Sequence, residues 1–146
     1  MQAETPMTAI DLPNITRFMH GQVAAWNAHD KPGFIALYRE FAPLQLQIHY
    51  AGRDQQADGW LVIEEMWDKH NAQFRLEVVT TILNGLEAAV HHHNCIIGSD
   101  VLIESLETYR FEPGRLFVVY HLKPPEMTAE QLQQFRGFAG ANGPDA

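Results

Sequence analysis

From Arg75 to Lys123 the chain reads as four long strands separated by short turn signals, and this pattern limits what it can fold into. The runs 75–83 and 86–97 meet at Asn84-Gly85, a dipeptide suited to tight hairpins because their central positions take positive φ. The runs 100–111 and 115–123 meet at Glu112-Pro113-Gly114, another turn signal. Consecutive hairpin strands make an antiparallel sheet, and a sheet with one apolar face has to be covered.

The first half supplies the cover. After Asn14, read as an N-cap, Ile15, Phe18, Met19, Gln22, Val23 and Trp26 recur with a 3.6-residue period. Asp30 caps a shorter helix over 31–41, with Pro32 in the first turn, where a missing N–H costs nothing. Residues 43–50 alternate strictly, Leu44, Leu46, Ile48 and Tyr50 against Gln45, Gln47 and His49, as in a half-buried strand. Asp58 opens a third helix over 59–74, whose apolar stripe holds Trp60, Ile63, Met66, Trp67 and Phe74, with His70 beside it. Residues 1–13 read as a flexible leader. Within 126–146, Thr128 and Gln131 form a capping box for a short helix ahead of a frayed tail. Helices followed by hairpins specify an α+β domain over 14–125, a strongly curved antiparallel sheet wrapped around three helices.

A chain of 146 residues suffices for one core. The net charge of −8, with no clustering of the scattered Lys and Arg, argues against a nucleic-acid partner, which needs a basic footprint. A single cysteine, Cys95, leaves no intramolecular disulfide and no multi-cysteine zinc site, and it reads as a small buried hydrophobe. No apolar run approaches the ~20 residues that span a bilayer. The first residues lack the basic-then-apolar order of a signal peptide, so the expected setting is cytoplasmic, without a membrane partner.

Three stretches together, VAAWNAHDKPGFIALYREFAP (23–43), GWLVIEEMW (59–67) and TYRFEPGRLFVVYH (108–121), resemble the nuclear transport factor 2-like superfamily. The nearest likeness is its SnoaL-like and ketosteroid-isomerase-like branch, over roughly residues 14–123. The resemblance implies a cone with a mostly apolar pocket at its open end, and homodimers formed through the outer sheet face. It also implies a catalytic base at or beside His49, an oxyanion-binding tyrosine position now held by Gln22, and a late-strand acid at Glu107. The isomerase constellation is therefore incomplete.

Strand parity sorts the remaining candidates. Glu107 shares a face with Val101, Ile103, Ser105, Tyr109 and Phe111, and a carboxyl among such neighbours is expected to favour its neutral, donating form. His92 shares a face with Ala88, Val90, Asn94 and Ile96, and parity and resemblance both turn it inward. His91 and His93 then face outward, as solvated or interfacial residues that could still chelate a metal adventitiously. His121 shares a face with Phe117 and Val119 and is expected near Glu107 and Tyr109. For His49 the resemblance points inward and its neighbours Gln45 and Gln47 point outward, so both orientations stay open. Trp26, Met66 and Trp67 are core or pocket wall.

The leading expectation is cofactor-free acid–base chemistry on a small apolar carbonyl compound, of isomerase, cyclase or dehydratase type. His92, Glu107, His121 and His49 would be catalytic, and Tyr109, Asn94, Trp26, Trp67, Met66, Val119 and Gln22 would line the ligand. A second reading is a non-catalytic ligand-binding or dimerisation module. A third is a metal site built from the pocket histidines and Glu107, which would suit Zn or Fe(II).

Overall fold

Aspartates at the helix starts fix where the chain begins to coil. A computed structural model describes residues 7–52 and 57–123, with the side chains of 57, 122 and 123 left aside. Helix α1 runs Leu12–Asn27, with Asp11 as its N-cap accepting from the Asn14 amide at 3.0 Å. The helix thus starts two residues before Asn14, because Pro13 fits the first turn and Asp11 can reach the free amides behind it. Asp30 caps α2, Lys31–Phe41, through the Gly33 amide at 3.0 Å. Asp58 caps α3, Gly59–His70. The third helix stops four residues short of Phe74: Asn71 turns its amide group back to the Trp26 carbonyl at 2.9 Å, and Phe74 opens the next strand. The C-terminal helix and tail expected over 126–146 lie outside the described residues, as do the first six residues of the leader.

The strands are β1 (Gln45–Tyr50), β2 (Ala57–Asp58), β3 (Phe74–Asn84), β4 (Glu87–Ile96), β5 (Leu102–Glu112) and β6 (Arg115–Lys123), in sheet order β2-β1-β6-β5-β4-β3. Strands β3 to β6 form the expected antiparallel meander. The sheet is nonetheless mixed, since β1 runs parallel to β6 from Gln45 opposite Arg115 to Tyr50 opposite Tyr120. The β3–β4 loop is Gly85-Leu86, closed by the pair Asn84 and Glu87. Gly85 there takes φ of 62°, a conformation that favours glycine. A register shift between Val78 and Thr80 bulges β3.

The curved, unclosed sheet wraps the three helices, and one cluster of buried side chains fills the space between. Helix α3 crosses β1 so closely that a Cβ at Gly59 would sit 2.4 Å from the Leu46 carbonyl oxygen. None of the described helices is long and apolar enough to cross a membrane. Phe18 is the hub of the aromatic core. Its ring lies 4.9 Å from Tyr38, 5.1 Å from Phe41, 5.5 Å from Phe111 and 6.0 Å from Tyr109, all edge-on. Phe18→Ala should cost about 3–5 kcal/mol. The measurement is a lower urea midpoint at unchanged slope, and a loss below ~1 kcal/mol would contradict this placement.

Candidate functional site

Alternation along β4 and β5 carries a set of polar side chains into the core. On β5 the buried face is Ile103, Ser105, Glu107, Tyr109 and Phe111, with Val101 buried just ahead of the strand. On β4 it is Ala88, Val90, His92 and Ile96, with Asn94 half-buried. His92 pairs with Ser105 and Val90 with Glu107, so Glu107 is the diagonal neighbour of His92. His92 Nδ1 lies 3.0 Å from Glu107 Oε2.

The rest of the network converges on the same carboxyl. Ser105 donates to Glu107 Oε2 at 3.2 Å and itself accepts from Asn94 Nδ2 at 2.9 Å. The Tyr109 hydroxyl donates to Glu107 Oε1 at 2.6 Å. Helix α1 brings Gln22, whose Oε1 accepts from the Tyr38 hydroxyl on α2. Tyr120 on β6 is buried beside this cluster, close enough to Tyr38 and Glu107 to feel their fields. The Tyr109 and Ser105 hydroxyls both donate to Glu107, so its carboxyl accepts one hydrogen bond at each oxygen within the network. His92 turns Nδ1 to this carboxyl and Nε2 away from it, and the tautomer sets which member of the pair donates. His92 is 1% exposed, and its Nε2 has no hydrogen-bond partner among the described residues.

Burial, followed by the field of Glu107, pushes the Tyr38 and Tyr109 hydroxyls far above the ordinary phenol range. Burial likewise raises Tyr120, with Tyr38 and Glu107 adding to it. Three phenols therefore stay protonated throughout the physiological range.

The structure separates the other sequence candidates from this cluster. His49 lies on the outer face, because β1 buries Leu46 and Ile48 and its register with β6 runs unbroken through Tyr50. His121 is exposed on that face opposite Leu106, because β6 buries Leu116, Val118 and Tyr120. Val119 pairs with His49 there. The two line an open depression of about 540 Å³ with Gln47, Ile82, Thr108 and Phe117. His92, His121 and His49 consequently do not assemble the three-imidazole metal site that the third reading requires.

Trp26 and Trp67 pack edge-on at 5.1 Å, and Trp26 Nε1 donates to the Phe74 carbonyl at 3.1 Å, so both belong to the core. Met66 packs half-buried against the core. Tyr38, Tyr120 and Ser105 were not among the candidates. Tyr120 was available from the hairpin: counting back equally from the two-residue turn Pro113-Gly114 sets it opposite Glu107. Tyr38 shares the buried stripe of α2 with Phe34 and Phe41, and only the tertiary contact with Gln22 distinguishes it.

No family model matches the sequence, and comparison with curated proteins gives no match. Solved structures do match. A cystatin-like protein of unknown function from Methylobium petroleophilum PM1 superposes with a TM-score of 0.64 at 14% identity, covering 84% of each chain. A proposed SnoaL-like polyketide cyclase from Shewanella denitrificans OS-217 gives 0.61 at 17% identity, over 84% of this chain and 99% of that one. AclR, a proposed hydroxylase from Streptomyces galilaeus, gives 0.62 at 16% identity, over 77% and 91%. The fold is thus the NTF2-like, cystatin-like α+β cone. At these identities the likeness concerns the fold, and function has to be argued from the site.

The raised tyrosines make stability pH-dependent in one direction. Above pH ~10 the unfolded chain releases phenolic protons that the folded chain keeps. The stabilisation is complete below that pH and is lost as pH rises further, by up to about 1.4 kcal/mol per pH unit for each tyrosine. Denaturation midpoints should fall steeply above pH 10, and phenolate absorbance from Tyr38, Tyr109 and Tyr120 should appear only with unfolding. Ionisation of all three with near-UV dichroism retained would contradict the network.

Proposed function

We propose that this chain binds a small apolar carbonyl compound inside the cone and turns it over by cofactor-free acid–base chemistry, of isomerase, cyclase or dehydratase type. The observation that carries the reading is His92, whose Nδ1 is held by Glu107 while Nε2 is buried and unpartnered. A basic nitrogen in a water-poor core, backed by a carboxylate, can take a proton from a carbon acid or hydroxyl, and Glu107 then steadies the imidazolium. Asn94, Ser105, Tyr109 and Tyr38 already direct hydrogen bonds inside the network. The least demanding reaction is therefore one in which Nε2 both removes and returns the proton. In this reading Gln22 and Tyr109 position the dyad, and a second copy of the chain uses the outer sheet face, where Ile82 and Leu106 are exposed.

The same closure favours a second reading, a non-catalytic ligand-binding module, since His92 is shut from solvent and the network is otherwise satisfied. One experiment separates the two. Wild-type protein is incubated in D2O with a panel of cyclic enones and β-dicarbonyl compounds, and exchange at the carbon next to the carbonyl is followed by NMR. Catalysed exchange is expected, falling about 10²–10⁴-fold in His92→Gln and in Glu107→Gln while far-UV dichroism is unchanged. Undiminished exchange in His92→Gln overturns the acid–base reading. A copurified apolar molecule in native mass spectrometry, with no exchange of any probe, establishes the binding module instead.

A further inference from the structure

The outward side chains of β4 form a second cluster, on the opposite face of the sheet from His92. Strand register sets Glu77, His93 and Glu104 in one row across β3, β4 and β5, with His91 two residues along β4. His91 Nε2 lies 3.0 Å from Glu104 Oε1, and His93 Nε2 lies 3.9 Å from the same oxygen. One ligating atom from each of His91, His93 and Glu104 falls within 4.8 Å of the others. We propose that these three side chains bind one divalent transition-metal ion of the zinc class, with the remaining coordination position left to solvent.

The chemistry and the geometry agree. Two imidazoles and a carboxylate are a donor set that suits Zn(II). Tetrahedral donors at ~2.0–2.2 Å from an ion lie ~3.4 Å apart, and the two distances to Glu104 Oε1 fall on either side of that value. The backbone positions are fixed by two long, regularly paired strands, so closure around an ion needs only small side-chain rotations. Once His93 ligates through Nε2, its Nδ1–H faces Glu77 Oε1, now 3.9 Å away. Glu77 is itself held by Arg75 at 2.8 Å. Such a carboxylate behind a ligating histidine fixes the ring and raises its basicity. Ligation needs only one of the two Glu104 oxygens.

The alternative role for the cluster is a set of surface ion pairs. At side-chain exposures of 30–38% for His91, His93 and Glu104, such pairs contribute ~0–1 kcal/mol, so a metal displaces them at little cost. Partial exposure also lets an ion enter without opening the core. The expected consequence is a clip between β4 and β5 on the outer face, with the His92–Glu107 dyad left intact on the inner one.

The test uses the full chain, stripped with a chelator and titrated with Zn²⁺ by isothermal calorimetry, with thermal melts in parallel. One ion per chain is expected, with a melting temperature that rises with free Zn²⁺. His93→Gln and Glu104→Gln should weaken binding at least tenfold while melting like the wild type in the absence of metal. Glu77→Gln should weaken it by a smaller factor. His49→Gln and His121→Gln should bind as the wild type does. Absence of saturable binding, or binding that survives both His93→Gln and Glu104→Gln, would overturn the proposal.

Discussion

A carboxyl group buried among aromatic rings has to be satisfied from several elements at once, and Glu107 imposes that condition on this fold. It is 9% exposed, and its oxygens are met by His92 from β4 and by Ser105 and Tyr109 from its own strand. Gln22 and Tyr38 extend the network to α1 and α2, and Tyr120 from β6 is buried against it. These contacts fix how the helices sit in the concave sheet, because sliding any one element would orphan a polar group in a low-dielectric core. The apolar contacts around Phe18 supply adhesion, and the network supplies register.

The same accounting leaves one atom of the network without a partner. The donors that surround Glu107 are spent inside the network, which leaves His92 Nε2 as its unspent position. Strand alternation then divides β4 into two chemistries. Its inner side chains build the enclosed His92–Glu107 pair, and its outer ones place two imidazoles beside a half-exposed glutamate. Three consecutive histidines therefore fall into two separate clusters, since neighbouring side chains on a strand point to opposite faces.

Much of this was legible in the sequence. The aspartate caps on α2 and α3, the helix stripes and both hairpins follow from local rules, and the parity of β4 and β5 put His92 and Glu107 on inner faces. The misplacements have identifiable causes. Strand β6 is apolar on both faces, so composition could not choose between Val119 with His121 and Val118 with Tyr120; hairpin counting could. The likeness that pulled His49 inward competed with the polar parity of β1, and parity prevailed because no bulge interrupts β1. The parallel pairing of β1 with β6 is a long-range choice for which no local signal exists.

What the sequence determined by itself is the set of elements and the face each residue presents, because helical and strand periods are properties of the local backbone. The tertiary structure decided which inward faces meet. Gln22, Tyr38, Glu107 and Tyr109 come from three elements, and the hydrogen bonds that link them exist only because α1, α2 and β5 pack around one core. The physical reason is range: side-chain direction is fixed within a few residues, whereas the satisfaction of a buried polar atom depends on whatever else the fold carries to it.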